Sequence, residues 1–554
     1  MKNNRNVTLK KSSSAKNLFF SGVLALTVAN LMVKLVGLIF KVVLINVVGS
    51  EGAGYYNSAY EIYSYLYVIS TSGLPVALSM MVSRSRARGR LKESRKIFDV
   101  AMLVFIAIGV FFSAVMVLFS KNLAEFIKAP ETALCIIAIA PTMLFICVSS
   151  CLRGYFQGYQ IMAPTAVSQF IEAVCKVAIG ASLAIWAIHK GYPIHVVAAF
   201  AVLGVTIGVF LGMIFLYIRR FFFKEDKYNL HYVETLEITE HTRSAKKLIK
   251  ELFAIAIPIT VSSSVLSLTT IIDTLMVQRE LLKHLGNLSL VHTHYGDYTT
   301  LVISMTNLPT ILLYPIANAL VPLITSAHEL KDRTAEKRMR AFSMRVILLI
   351  AIPCAFGMSI FSREILALMF NEASVNNAAP WLSVSSLSII FLGIIAITNA
   401  YLNSAGKQRL PIVSMVVGAA VKLIGNAILL PQIGMIGASI STVACYFVAA
   451  GLNIFFTLKH VGKLPDIRST FLKPIFCAIP SILLAFGVQV LISMIISSKL
   501  IILVSILVAV ISYVILILKT KTVSEDEILL LPKGESICKI LKKSRILPKK
   551  SQNV

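Results

Sequence analysis

Residues 30–83 read NLMVKLVGLIFKVVLINVVGSEGAGYYNSAYEIYSYLYVISTSGLPVALSMMVS. The stretch opens as an apolar helix long enough to cross a bilayer, yet Lys34 and Lys41 lie within it, where an ammonium costs about 3 kcal/mol or more. Seven residues apart, about two turns, they project from one helix face and can line the same water-filled surface. A tight turn follows at 49–54, Gly-Ser-Glu-Gly-Ala-Gly. The chain then re-enters the membrane through a tyrosine-rich helix carrying Glu61 and broken at Gly73–Pro75. Two successive spans with charge inside them and a helix interruption are the pattern of a path for a polar substrate.

The rest of the chain agrees with a membrane solvent. Of its 554 residues 57% are hydrophobic and 14% charged, and the mean hydropathy is +0.81. Apolar runs of about 20 residues recur throughout, and the ten-residue alternation of an outer-membrane barrel does not. The first apolar run is longer than a signal-peptide core and no small-residue cleavage site follows, so it reads as a retained helix. Seven of the eight cysteines sit in apolar runs, with Cys538 in the tail; none forms a CxxC or Cys/His set, and they read as small buried hydrophobes. No metal site is expected. No GxxxxGK[ST] loop, HExxH motif or soluble catalytic domain occurs, so no enzyme activity and no cofactor is expected, and energy input would come from an ion gradient or the membrane potential.

The expected fold is all-α and integral to the membrane, with about fourteen transmembrane helices at 17–48, 53–82, 97–120, 132–157, 163–188, 194–218, 251–277, 299–327, 342–362, 378–403, 410–431, 434–458, 470–495 and 498–518. Charge tests the partition, because cytoplasmic loops hold the Lys and Arg excess. With the N-terminus inside, seven of the 53 Lys and Arg fall outside (Lys121, Lys128, Lys190, Arg279, Lys283, Arg363, Lys499) and five fall within spans (Lys34, Lys41, Lys176, Arg345, Lys422), leaving 41 on the cytoplasmic side. Seven acids also fall outside, so nearly all of the formal +27 is cytoplasmic. The basic run SRSRARGRLKESRK at 83–96 abuts a span and lacks interleaved aromatics. It therefore reads as a topology signal and a contact for anionic lipids, not for nucleic acid.

The chain also repeats itself. Leu74-Pro75-Val-Ala-Leu-Ser79 recurs as Val321-Pro322-Leu-Ile-Thr-Ser326, and Val167-Ser168 before Lys176 recurs as Val413-Ser414 before Lys422. The offsets, 247 and 246, agree within one residue, which implies two pseudo-symmetric six-helix lobes in parallel orientation. The expected organisation is a cytoplasmic tail (1–16), an N-lobe (17–220), a cytoplasmic linker (221–250), a C-lobe (251–460), two C-terminal helices (461–520) and a basic cytoplasmic tail (521–554). Such a two-lobed chain encloses a complete pathway, so a monomer suffices.

Substrate-binding candidates are the charges inside the lobes: Lys34, Lys41, Glu61, Glu172 and Lys176 in the first, Lys422 in the second. Glu172 and Lys176, spaced i, i+4, read equally as a neutralising pair or as functional groups. Lys422 has Gly418 where its repeat partner has Glu172, so it lacks that local acid and is the stronger ligand candidate of the two. Lys34 and Lys41 also have no acid at i±3 or i±4. Asp273 and Glu172 are candidates for coupling to an ion. Arg345 reads as snorkelling, and the tyrosines from Tyr55 to Tyr67 as an interfacial belt or a sugar-stacking surface.

The strings GSEGAGYYNSAYEIYSYLYVISTSGLPVALSMMVS (49–83), LRGYFQGYQIMAPTAVSQFIEAVCKV (152–177) and IPITVSSSVLSLTTIIDTLMV (257–277) carry a resemblance. They resemble the stage V sporulation protein B-like branch of the polysaccharide export family, which is similar to the lipid II flippases and shares a superfamily with multidrug and toxin extrusion antiporters. The likeness spans roughly 17–460. It implies a fourteen-helix exporter in a bacterial cytoplasmic membrane, both termini cytoplasmic. Its substrate would be an undecaprenyl-pyrophosphate-linked saccharide, lipid II foremost, moved by alternating access for wall or spore-cortex synthesis, with wall-synthesis proteins as partners. The family's first-helix basic pattern falls on Lys34 and Gly37, with Lys41 at or beside the second basic position. The arginine that Gram-negative-type flippases carry five residues before the eighth-helix proline is here Ser304, before Pro309, which shifts the expected second-lobe contact to Lys422.

Chemistry supports that expectation. A diphosphate with about two negative charges cannot cross ~30 Å of hydrocarbon unaided, and unpaired lysines offer it charge-assisted contacts. Two other readings compete. A cation-coupled drug antiporter needs an anionic cavity, yet bases inside spans outnumber acids five to three. A non-transporting scaffold for wall synthesis predicts that the lysines are dispensable.

Overall fold

The computed structural model describes residues 2–88, 90–159, 161–223, 243–314, 316–317, 333–462, 466, 468–495, 498–520 and 522; within its helices the side chains of 2–31, most of 261–273 and some others lie outside that description. Every regular element among the described residues is a helix. By contact the chain divides into Met1–Thr300 and Leu301–Val554. The first unit therefore takes in the helices that follow the expected linker, because those helices pack on it; the linker's residues 224–242 lie outside the described residues. So do Pro322 and Ser326 of the second repeat copy.

The first unit comprises α1 (Lys2–Thr71), α2 (Leu74–Ala87), α3 (Leu91–Leu118), α4 (Ser120–Phe126), α5 (Ala133–Ile139), α6 (Thr142–Gly158), α7 (Ala163–His189), α8 (Ile194–Phe221), α9 (Ala245–Leu285) and α10 (Leu288–Asp297). The six-residue turn expected at 49–54 is instead a one-residue kink at Gly49 (φ 76°, ψ 175°), in the left-handed half of φ space where a Cβ is penalised. The glycines after it serve packing. A Cβ on Gly54 would lie 2.2 Å from the His292 carbonyl oxygen, and one on Gly296 would lie 1.9 Å from that of Ser50, so α1 and α10 cross backbone to backbone. The Gly73–Pro75 interruption is present. Pro75 sits in the first turn of α2, and a Cβ on Gly73 would meet the Ala256 carbonyl oxygen of α9 at 2.2 Å.

Lipid tails are as apolar as leucine, so helices in a bilayer associate through close packing and hydrogen bonds. α8 shows the sequence device: Gly204, Gly208 and Gly212 recur every fourth residue and form one small-residue stripe. Cβ atoms there would meet the Gly180 Cα at 2.3 Å, the Glu172 carbonyl oxygen at 2.8 Å and the Glu172 side chain at 2.7 Å. α7 is thus seated on α8 along the turns that carry Glu172 and Lys176. At the end of the unit bearing the basic run, Arg243 donates to Glu93 and Glu251, and Arg90 lies 3.5 Å from Glu93. The bond to Glu93, outweighing partial burial, holds the Arg243 guanidinium above its ordinary range.

The second unit comprises α11 (Ile303–Asn307), α12 (Arg333–Ile360), α13 (Ser362–Ala367), α14 (Glu372–Ser385), α15 (Ser388–Ser404), α16 (Arg409–Ile433), α17 (Met435–His460), α18 (Lys473–Ser493) and α19 (Ile501–Lys519). Its core joins Met344, Ile347 and Leu348 of α12 to Ile389 and Ile397 of α15, and to Cys477 and Ile482 of α18. Buried polar groups close it: Tyr401 donates to the Arg340 carbonyl at 2.7 Å, and Arg340 donates to that of Val461 at 2.6 Å. Arg345, expected to snorkel, donates to the Thr522 carbonyl at 3.3 Å.

Ten helices among the described residues are long and apolar enough to cross a membrane, or eleven if Glu372–Ser385 and Ser388–Ser404, bent by 44°, form one span. One of the ten, Met32–Arg86, has 55 residues, more than twice the length a span needs. The expected spans 251–277 and 299–327 contain residues outside the description, so the count of fourteen is not reached among the described residues. Seven cysteines are free thiols, five of them buried among apolar helices; Cys538 lies outside the described residues.

Candidate functional site

In the first unit, α7 presents Glu172 and Lys176 one turn apart, as the i, i+4 spacing requires. They do not pair. The Glu172 carboxylate accepts an ion-paired hydrogen bond from the Arg153 guanidinium of α6. Arg153 is 6% exposed and is steadied by a second bond, Nε to Ser168 Oγ at 3.1 Å, while Ser168 Oγ donates to the Thr165 carbonyl at 2.9 Å. With α8 closed over it by the glycine stripe, Glu172 is committed to Arg153.

Lys176 is left among aromatic faces. Its Nζ stands 4.6 Å from the ring centres of Phe40 and Tyr60 and 5.7 Å from that of Tyr56. Cation–π attraction offsets part of the ammonium's lost hydration, and no carboxylate among the described residues lies within ion-pair distance of it. The box belongs to a ladder on α1, Tyr56, Tyr60, Tyr63 and Tyr67, with successive centroids 5.9, 5.7 and 6.0 Å apart. Tyr56 and Tyr63 are buried, so the tyrosine run packs inside the unit as well as at its surface.

Lys41 follows the box residue Phe40, is half-buried, and donates from Nζ to the Thr299 carbonyl at 2.9 Å. The same side of α1 is tied by Asn57 Nδ2 to Thr300 Oγ1 (2.8 Å) and by Gln278 Nε2 to Ser58 Oγ (2.7 Å). Two turns before Lys41, Lys34 is exposed and makes no hydrogen bond or ion pair with any described residue. Glu61 edges an otherwise apolar cavity of about 190 Å³ walled by Tyr65, Val115, Phe126 and Leu275. The Asp273 side chain lies outside the described residues.

In the second unit, Lys422 is 4% exposed on α16. The repeat asymmetry noted in the sequence has a packing cause: a Cβ at Gly418 would lie 2.8 Å from the Cys445 carbonyl oxygen, so α17 leaves no room for the carboxylate that Glu172 provides in the first copy. This unit also holds an apolar groove of about 550 Å³ between α12, α18 and α19, lined by Leu349, Pro353, Gly357, Ile482, Val510 and Tyr513 among others.

Within the first unit the structure thus brings Lys41, Glu172 and Lys176 together with Phe40 and the tyrosine ladder, with Glu61 close enough to attract the Lys41 ammonium; Lys34 is exposed beyond that group, and Lys422 belongs to the second unit. Sequence reading missed Arg153, counting it among the cytoplasmic bases. Its signal was its place inside the apolar run 132–157, in LRGYFQG. Among the described residues no three His, Cys, Asp or Glu side chains form a metal-sized cluster.

A family model described as polysaccharide biosynthesis protein matches residues 19–328, more than half of the chain. The chain belongs to the polysaccharide biosynthesis protein family. The matched segment contains the Lys41–Lys176 group, and a second model, described as MatE, matches residues 258–428, which include Lys422. This polysaccharide biosynthesis family member is 26% identical over 484 residues to stage V sporulation protein B of Bacillus subtilis (strain 168), covering 86% of this chain and 88% of that one. It is 24% identical over 457 residues to lipid II flippase MurJ of the same organism, covering 80% and 82%. Among solved structures, lipid II flippase MurJ in its inward closed conformation superposes with a TM-score of 0.65 at 16% identity, covering 89% of this chain and 97% of that one. An inward-facing multidrug resistance MATE family transporter gives 0.64 at 14% identity, covering 77% and 94%. The fold is that of these transporters.

Proposed function

We propose that this protein is a flippase for a saccharide carried on a polyprenyl diphosphate, with the peptidoglycan precursor lipid II as the foremost candidate. It would act by alternating access between two six-helix lobes in a bacterial cytoplasmic membrane, both termini inside. The observation that carries the reading is Lys176, an ammonium held inside a membrane helix unit with its neighbouring acid committed elsewhere. A cationic drug is repelled by such a group, whereas a diphosphate gains charge-assisted contacts. Lysine suits a ligand that must leave, since a point charge grips phosphate less rigidly than a bidentate guanidinium. The apolar groove of about 550 Å³ offers a surface to a polyprenyl tail. The similarity to the lipid II flippase supports the same substrate class.

The test is outer-leaflet accessibility of lipid II in cells that depend on this protein alone, with Lys34→Ala, Lys176→Ala and Lys422→Ala variants. The Lys176 variant is expected to lose most of the accessible pool at normal protein abundance. Unchanged accessibility in all three would remove the reading, and lost drug resistance with intact wall synthesis would replace it with the antiporter.

A further inference from the structure

The pairing of Glu172 runs against its local sequence. A carboxylate four residues before a lysine on an exposed helix face pairs with it, and Val167-Ser168 through Lys176 contains no other acid to satisfy the ammonium. The fold diverts Glu172 across to α6 instead. Three features make the diversion specific. Arg153 is buried, so its charge needs an acid there. Ser168 takes its Nε and fixes the plane of the guanidinium. Gly212, whose Cβ would fall 2.7 Å from Glu172 Cγ and Oε1, lets α8 close against the carboxylate.

We propose that Arg153 is a specificity-determining positioning residue: by taking the carboxylate of Glu172 it keeps the Lys176 ammonium in the Phe40–Tyr56–Tyr60 box unneutralised and available to a phosphate-bearing headgroup. Without Arg153, Glu172 and Lys176 collapse into a neutral intrahelical pair and the unit loses its preference for anions. The residue acts through its neighbours and touches no substrate. The inference rests on the flippase reading, and the experiment separates the two.

The probe is inorganic pyrophosphate, titrated calorimetrically into the full chain in lipid nanodiscs, with thermal stability recorded for every variant. Lys176→Gln is expected to weaken binding about tenfold or more, one charge-assisted contact. Arg153→Gln is expected to weaken it comparably, and Arg153→Gln with Glu172→Gln to restore it to within about threefold of wild type. A purely structural ion pair predicts the reverse, since the double variant would lack the pair altogether. Should Arg153→Gln fail to fold, Ala173→Glu leaves the Arg153 pair intact and gives Lys176 a new acid at i−3; it is expected to lose affinity alike. Loss with Lys176→Gln but none with folded Arg153→Gln or Ala173→Glu, or no recovery in the double variant, overturns the role of Arg153 and leaves the flippase reading standing. Unchanged affinity with Lys176→Gln overturns the anion-binding reading itself.

Discussion

Replacing Gly204 with alanine adds one methyl at the place where α8 touches α7 most closely. Its Cβ would lie 2.3 Å from the Gly180 Cα, 2.5 Å from the Gly180 nitrogen and 3.0 Å from the Lys176 carbonyl oxygen. Ordinary contact begins near 3.4 Å, so the helices must part by about 1.1 Å. No flexible side chain can absorb the clash, since all three neighbours are backbone. Overpacking of this kind costs about 1–3 kcal/mol, and a gap approaching 1 Å forfeits up to half of the dispersion attraction along the seam. A total of about 2–3 kcal/mol is expected, set against a helix-propensity gain of up to ~1 kcal/mol. In detergent the unfolding midpoint should fall by about 2 °C, the shift being small because the entropy of unfolding grows with chain length. Flippase activity should fall further than stability, because the displaced turns carry Glu172 and Lys176. Gly451→Ala is the matched control: it meets nothing within 4 Å and should be neutral or slightly stabilising. If both variants melt within a degree of wild type, α7 and α8 are not packed on their glycines and the geometry assigned to Lys176 is wrong.

Three further outcomes are expected. Arg243→Ala strips Glu93, which is 1% exposed, of its closest cation and leaves Arg90 at 3.5 Å; a loss of about 2 kcal/mol, read as a lower melting temperature, follows from a buried carboxylate losing its partner. Tyr401→Phe removes a fully buried hydroxyl bonded to the Arg340 carbonyl and Ser343, and should cost about 1–2 kcal/mol, again by thermal unfolding. Gly357→Phe places a ring in the apolar groove at a position where a Cβ meets nothing within 4 Å. Melting should be unchanged while outer-leaflet lipid II falls severalfold, and undiminished transport would show that the groove carries no lipid tail.

The sequence alone determined the solvent and much of the architecture. Apolar runs of span length admit only backbone-satisfied helices in hydrocarbon, and the string 152–177 carried the family. It also picked out Lys41, Glu172 and Lys176, because charge inside such runs is costly enough to need a reason. Partner choice was another matter. Spacing pairs Glu172 with Lys176, and only the approach of α6 with Arg153, and of α8 with its glycines, reassigns the carboxylate. Pairing across helices depends on which faces meet, and local periodicity says nothing of that. The same holds for Gly49 and Gly54, alike in the string GSEGAGY: one bends the chain and the other lets α10 lie against it, a difference set by what stands opposite each.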